Sequence, residues 1–243
     1  MKQIPLKLSV ALGTFFFSLA LVVAWFYFIQ LNKSEWLPPS LVFNEDVSEP
    51  REGLYVCKDF TNKFENTTMY FPKNILDDNE KLDSFRINWR AKHLKAMNEP
   101  SFLSVPDEVN EAYRFLWLRS FHHPIAVRVW RVGEQRCLTV KELDGAGGYE
   151  PGKIIVNETR PLTENQWIAF KVKLEQGNFW NLPSHNKHIG LDGAEWIVEG
   201  SKEKDYKVRT YHVVDRYDGG DNRLACLYLL RLSELKIKED DIY

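Results

Sequence analysis

The clearest hydrophobic pattern lies near the start of the chain. Residues 8–31 contain no charged side chain and consist mainly of Phe, Leu, Val and Ala. About 20 apolar residues cross a hydrocarbon core of ~30 Å as an α-helix, and Trp25 and Tyr27 stand where interfacial anchors are typical. The pattern predicts a transmembrane helix over 8–31. A cleavable signal peptide is the alternative, but this run ends in bulky residues instead of small ones, so we expect an uncleaved anchor.

Charges on either side of the span predict its orientation. Lys2 and Lys7 precede the span, whereas Lys33 follows it and is balanced by Glu35. The positive-inside rule therefore predicts a cytoplasmic N-terminus at 1–7 and places the remainder across the membrane. Residues 32–52 carry several prolines and acids without a clear period, which is typical of a tether.

A small αβ part is predicted over 53–105. Segments 53–60 and 67–71 have the apolar, β-branched and aromatic composition of short strands. A helix is expected over about 78–97, with Asp77, Asp78 or Asn79 as its cap. Its apolar stripe would consist of Leu82, Phe85, Trp89 and Met97.

The second part, 106–243, alternates strands with two helices. Four strands are predicted at 113–119, 125–132, 136–142 and 153–156. Thr163 is placed to cap a helix over 164–176 that stops at Gly177. Strands at 196–198 and 211–214 follow, and Asp221 or Asn222 would cap a last helix whose apolar side holds Leu224, Leu227, Leu230 and Leu232. This order predicts an α+β fold, with a mainly antiparallel sheet and helices packed on one face.

Four stretches of the chain resemble a group of bacterial proteins of unknown function. They are YRFLWLRSFHHP (113–124), KELDGAGGY (141–149), GLDGAEW (190–196) and YHVVDR (211–216). The resemblance covers about residues 110–235, and this chain departs from the group in having Tyr217-Asp218-Gly219 where Trp-Ser-Pro is expected. Such proteins are short and often membrane-anchored. The resemblance therefore implies placement in a bacterial envelope and no reaction. Together with the predicted span and its flanking charges, we expect a single-pass protein of the bacterial inner membrane with a periplasmic domain.

The composition of the chain limits the kinds of partner that it is expected to bind. A net charge of −2 argues against a nucleic-acid binder, which normally has a strong basic excess. Three cysteines are too few for a disulfide scaffold or a zinc module, although two can pair in an oxidising compartment. Three pairings are open, and Cys57 with Cys137 is the most plausible, which leaves Cys226 in the last helix.

No motif predicts a cofactor. Residues 147–153 match G-x-x-x-x-G-K, but Ile154 stands where a phosphate loop needs Ser or Thr, so a glycine-rich hairpin is expected and no nucleotide. His122 and His123 are neighbours on a strand-like segment and would point to opposite faces. His185 and His188 lack further ligands in a recognisable motif, and we predict no metal.

One polar constellation could carry chemistry. Glu195 or Glu199 would face His212 if the segments around them pair as a hairpin, which is an acid–base geometry. Cross-strand ion pairs on a solvated face are the more ordinary interpretation. The candidate catalytic residues are Glu195, Glu199, His212 and Asp215.

Aromatic and arginine residues suggest binding. Tryptophans left exposed would be protein-contact anchors, and the candidates are Trp117 and Trp130, with Arg216 beside the last strand. Arg114, Arg119, Arg128 and Arg131 could gather an anion, although edge and surface positions are more usual for arginine. We expect a membrane-anchored periplasmic module that binds a protein without enzymatic activity, either an immunity-type factor or an accessory subunit. An envelope hydrolase with a Glu/His pair is the alternative.

Overall fold

The computed structural model describes residues 56, 57, 59, 69–184, 193–212 and 220–243. The predicted membrane helix at 8–31 and the tether at 32–52 lie outside these residues. Within the described part, no helix has the length and apolar character needed to cross a bilayer. The elements in chain order are α1 (Glu80–Ala96), β1 (Glu111–Arg119), β2 (Ile125–Val132), β3 (Gln135–Leu143), β4 (Ile154–Pro161), α2 (Glu164–Gln176), β5 (Ala194–Lys202), β6 (Asp205–His212) and α3 (Gly220–Leu232).

The six strands form one antiparallel sheet, so the predicted α+β class is confirmed. Its spatial order is β4-β3-β2-β1-β5-β6, and every pair of neighbours is antiparallel. Strands β1–β4 form the predicted meander. The chain then crosses through α2 and returns as β5 on the other side of β1, which makes β1 a central strand.

Both faces of the sheet are covered, which corrects the prediction of helices on one face only. Tyr113, Phe115 and Trp117 of β1 pack in a cluster with residues of α2 and α3. Leu116 and Leu118 pack in a second cluster that contains Leu94 of α1 and Met97 beyond its end. Since successive side chains of a strand point to opposite faces, α1 covers the face that α2 and α3 leave open. All nine residues of β1 are buried as a result.

At two of the three helices, the residue that caps the N-terminus is one that the sequence predicted. Asn79 accepts hydrogen bonds from the backbone N–H groups of Lys81 and Leu82 at the start of α1. Thr163 and Gln166 form a reciprocal capping box at α2, whose bounds are those predicted. α3 begins at Gly220, so Asn222 lies inside the helix instead of capping it, and its Nδ2 donates to the Tyr211 hydroxyl.

The predicted apolar stripe of α1 is wrong at Leu82 and Phe85, whereas Met97 is buried as predicted and Trp89 packs partly on the core. Phe85 is 64% exposed and Leu82 is also exposed, whereas the buried residues of the helix are Asp83, Arg90, His93 and Leu94. The helix is therefore turned so that polar side chains face the sheet. Asp83 explains this orientation at the N-terminal end of the helix. Its carboxylate accepts hydrogen bonds from the backbone N–H groups of Asn74, Leu76 and Asp77 and so fixes the segment that leads into α1.

A disulfide bond joins the N-terminal part to the sheet. Cys57 is bonded to Cys137 of β3 across a sequence separation of 80 residues, as favoured from the sequence, and Cys226 is free and buried. The described residues of the two short strands expected at 53–60 and 67–71 adopt no strand. Instead, Tyr70 and Phe71 pack as single side chains in the core beneath α1.

Candidate functional site

Of the predicted catalytic residues, two are brought opposite each other by the backbone. The β5–β6 register pairs Glu195 with His212 and Glu199 with Val208. Glu195 lies at one end of this pairing and Glu199 near its middle, so only Glu195 is a cross-strand partner of His212. Asp215 and the predicted binding residue Arg216 lie outside the described residues.

Glu199 is sealed inside the protein. Its side chain has no exposed surface, and one carboxylate oxygen accepts two hydrogen bonds from Arg114, from Nε at 2.9 Å and from Nη2 at 2.5 Å. The other oxygen accepts from the Tyr206 hydroxyl at 3.1 Å. Burial raises the pKa of Glu199, although Arg114 opposes this shift. A carboxylate so enclosed has no route to a substrate, so the structure removes Glu199 as a catalytic candidate.

A second buried carboxylate, Glu99, links three cations on three neighbouring strands. Its Oε2 accepts from Arg128 Nε at 2.9 Å and from Arg114 Nη1 at 3.2 Å. Lys141 Nζ lies 3.0 Å from its Oε1. Burial would raise the pKa of Glu99, but Arg128, Lys141 and Arg114 together lower it to about 2. The carboxylate is therefore held ionised.

We call Glu99, Glu199, Arg114, Arg128 and Lys141 the ion network. It also holds backbone, because Arg114 Nη1 donates to the Pro100 carbonyl at 2.7 Å and Lys141 Nζ to the Asn98 carbonyl at 2.9 Å. Edge and surface positions are the more usual expectation for the arginines, but Arg114 and Arg128 are buried and share an anion, which is an internal carboxylate of the segment that follows α1. Such a network fixes one packing of that segment on the sheet and offers no free group for chemistry.

Glu195 is engaged by a buried arginine of α1. Arg90 is 1% exposed and its Nη2 donates to Glu195 Oε1, while the Glu195 side chain keeps 20% of its surface. Arg90 Nε and Nη1 have no hydrogen-bond partner among the described residues. Burial lowers the pKa of Arg90, and Glu195 opposes this effect. Glu195 is thus the one catalytic candidate with both a described side chain and access to solvent, and an ion pair already occupies it.

The tryptophans predicted as contact anchors are buried. Trp117 and Trp130 have 0% and 1% of their surface exposed. The Arg128 guanidinium covers the Trp130 ring, with Cζ 4.6 Å from the ring centroid. Both rings therefore belong to the core, which removes them as exposed anchors.

Exposed aromatic surface occurs instead on α1. Leu82, Phe85 and Trp89 follow one another at helical spacing, and the Phe85 and Trp89 rings stack with centroids 6.2 Å apart. Lys92 extends this surface, because its Nζ lies 4.6 Å from the Trp89 ring centroid. Lys92 Nζ also bonds Glu150 Oε1 at 2.8 Å, which joins α1 to the loop between β3 and β4.

The same loop adds a second aromatic pair. Tyr149 precedes Glu150 and packs against Phe121 of the β1–β2 turn, with ring centroids 6.0 Å apart. Both rings are more than half exposed. We call Leu82, Phe85, Trp89, Tyr149 and Phe121 the aromatic ridge. It consists of two apolar groups on three separate segments of the chain, joined by the Lys92–Glu150 ion pair.

The glycine-rich loop positions Tyr149. The 147–153 motif forms the β3–β4 connection expected of it, closed by backbone bonds such as Ala146 N–H to the Glu150 carbonyl at 3.0 Å. A Cβ at Gly147 would lie 2.6 Å from the backbone of Arg119, so the loop can lie on β1 only with glycine there. The glycines thus serve close packing.

Two features of the site escaped the sequence analysis. The buried polar face of α1 left a signal, because Asp83, Arg86, Arg90 and His93 recur at the spacing of one helical face. The sequence around Glu99 contains no comparable signal. A single acidic residue beside Pro100 indicates nothing by itself, because its partners lie on three distant strands. No group of three metal-ligating side chains occurs in the described parts of the chain.

A scan of protein-family models and a search of curated proteins find no match to this chain. The similarity to the bacterial group therefore rests on the four stretches given above.

Proposed function

We propose that this chain is a membrane-anchored binding module of the bacterial envelope that contacts another protein through the aromatic ridge and catalyses no reaction itself. The observation that carries the proposal is the exposure of Leu82 and Phe85 on α1, with the partly buried Trp89 stacked beside Phe85. An apolar stripe at helical spacing normally faces the core, and here Leu82 and Phe85 are exposed while Asp83, Arg90 and His93 are buried beside Leu94. Exposed apolar groups that lie near one another on a surface mark interaction sites in soluble domains.

The composition of the ridge favours a protein partner. Aromatic side chains supply large contact areas at low conformational cost and dominate protein–protein hot spots. The Lys92–Glu150 pair lies between the two aromatic groups and would supply a polar element among the apolar contacts.

The buried polar contacts favour a rigid scaffold beneath the aromatic ridge. The ion network and the Asp83 cap determine how α1 and the segment after it lie on the sheet, and both are buried. A preorganised surface loses less entropy on binding than one that must be ordered first.

The disulfide supports a location outside the cytosol. Disulfides persist in the periplasm and are rare in reducing compartments. With the predicted anchor at 8–31 and tether at 32–52, the ridge would be presented in the periplasm. An immunity-type factor and an accessory subunit of an envelope complex are the two roles that fit such a module.

Site-specific photo-crosslinking in the intact membrane tests the proposal. A benzophenone amino acid replaces Phe85 in the full chain, and the control replaces Val172, an exposed apolar residue of α2. We expect a discrete protein adduct from position 85 that is absent from position 172 and is lost when Trp89→Ala is added. Equal adducts from both positions, or an adduct at 85 that contains only lipid, would overturn the proposal of a protein partner.

An envelope hydrolase stays as the second candidate because the register pairs Glu195 with His212. Its test is a hydrolysis screen of ester, peptide and glycoside substrates with His212→Ala, with His123→Ala as a matched control on an exposed histidine. Activity that is lost in the first variant and retained in the second, at equal thermal stability, would support the hydrolase. Absence of activity in the unaltered chain would reject it.

A further inference from the structure

The last residues of the sequence occupy a polar recess between two strands. Trp117 of β1 and Trp196 of β5 are register partners with ring centroids 5.7 Å apart. Both indole N–H groups donate to the same atom, the backbone oxygen of Tyr243, at 3.3 Å and 2.9 Å. Buried tryptophans normally find an acceptor for their N–H. Trp117 and Trp196 share a single acceptor, the backbone oxygen of Tyr243.

Two further side chains hold the same segment. Arg119 Nη1 lies 3.4 Å from the Asp241 carbonyl oxygen to which it donates. His122 Nδ1 lies 2.8 Å from the Tyr243 hydroxyl, and its ring meets the Tyr243 ring edge-on with centroids 5.7 Å apart. The site therefore recognises main-chain oxygens through fixed donors and one side chain through its phenol.

Arg119 has donor capacity that the segment does not use. Its residue is 4% exposed, and its Nε is buried without a hydrogen-bond partner among the described residues. The guanidinium carbon lies 4.0 Å from the Trp117 ring centroid, so it is stacked beside the indole that binds Tyr243. A buried guanidinium next to two converging indole donors favours an oxygen that carries negative charge.

Apolar packing of the segment adds to these polar contacts. Ile237, Ile242 and Tyr243 are only partly buried where they pack on the core. Residues 239–241 form a single turn of 3₁₀-helix. The strands thus supply a prebuilt site, and the segment contributes an oxygen, a phenol and two apolar side chains.

We propose that Trp117, Trp196, Arg119 and His122 form a binding site for a short peptide of the sequence Asp-Ile-Tyr, and that residues 241–243 fill this site in cis. A peptide of the same sequence from a second molecule would compete for it. The cis segment has an effective concentration in the millimolar range or above, so binding in trans requires its release.

The test uses the full chain lacking Ile242 and Tyr243, titrated with the peptide KEDDIY and followed by tryptophan fluorescence and calorimetry. We expect saturable binding with a Kd below about 1 mM, and none by the unshortened chain at the same peptide concentration. A peptide with Phe in place of the final Tyr should bind about 3- to 10-fold more weakly, as one hydrogen bond is lost. Free-acid and C-terminally amidated peptides separate a carboxylate from a neutral carbonyl as the favoured oxygen.

A second measurement keeps the proposal testable if the shortened chain does not fold. In the full chain, Trp117→Phe removes one donor, and Trp167→Phe is the control, since Trp167 has no described contact with residues 241–243. Amide exchange of Ile242 should accelerate at least 3-fold more in the first variant than in the second. A folded shortened chain that binds no peptide, or equal exchange in the two variants, would overturn the proposal.

Discussion

Arg114 and Arg128 lie directly opposite each other on β1 and β2, and both guanidinium groups donate to the same oxygen of Glu99. Two like charges at paired positions of a sheet repel unless an anion lies between them. Here the anion comes from the segment that follows α1, so the fold of the sheet and the placement of that segment depend on one carboxylate.

Removing that charge should destabilise the protein strongly. Glu99→Gln leaves the buried cations of Arg128 and Lys141 without the carboxylate that neutralises them. Removing one partner of a buried ion pair costs about 3–5 kcal/mol. We expect a loss of this size in the free energy of unfolding, measured by urea denaturation. Glu134→Gln is the control, because that side chain is 92% exposed, and it should change stability by less than about 0.5 kcal/mol.

Glu99 should also make the protein sensitive to acid. Its pKa is about 2 in the folded protein against an ordinary value of 4.5. A lowered pKa gives stability that is present above pH 4.5 and is lost as the pH falls through about 2. The difference corresponds to about 3 kcal/mol.

Glu199 acts in the opposite direction. Burial raises the pKa of Glu199, so its contribution is lost as the pH rises, and Glu99 is one of the charges that also raise this pKa. Urea denaturation of the unaltered chain and of Glu99→Gln between pH 5 and 2 should show the gap between them closing toward low pH. A constant gap would contradict the assignment.

His93 should contribute a second pH dependence closer to neutrality. Burial lowers its pKa, while the Trp89 and Ala146 carbonyls act in the opposite direction. Lys92 and Glu150 add smaller effects of opposite sign. Because the unfolded chain binds the proton more readily, stability should fall as the pH drops below 6.5. His93→Gln should flatten the dependence of the unfolding free energy between pH 7 and 5, and His123→Gln at an exposed site should not.

The disulfide should stabilise the domain by about 2–4 kcal/mol, because it closes a long loop in the unfolded chain. Cys57→Ser should lower the free energy of unfolding by this amount and abolish its response to reducing agent. Cys226→Ala should retain the response to reducing agent, since Cys226 takes no part in the bond. If reducing agent leaves the unaltered chain as stable as before, the pairing of Cys57 with Cys137 does not hold.

β2 could be predicted because its apolar and β-branched run 125–132 is bounded by Pro124 and Gly133. The helix over 164–176 could be placed because its cap at Thr163 and its stop at Gly177 are local signals. Both kinds of signal depend on neighbours in the sequence, so a single sequence is enough to locate these elements. The predicted last strand is misplaced, since β6 occupies Asp205–His212 and overlaps the predicted 211–214 at only two residues.

The orientation of α1 could not be predicted in the same way. Its outward stripe and its inward polar face both have helical spacing, and burial of the apolar stripe is the ordinary choice. The polar face is buried because Arg90 meets Glu195, a residue 105 positions away. Long-range pairs of this kind are invisible to local periodicity, and the same holds for Glu99 with Arg128.

The central proposal is that the ridge binds a protein, and affinity for the crosslinked partner tests it most directly. Trp89→Ala and Val172→Ala each shorten one side chain that has exposed surface, on opposite faces of the sheet. Titration calorimetry of each full-length variant should show binding at least 10-fold weaker for Trp89→Ala, as expected for an aromatic hot spot. It should show unchanged affinity for Val172→Ala. Equal affinity of the two variants would contradict the role of the ridge.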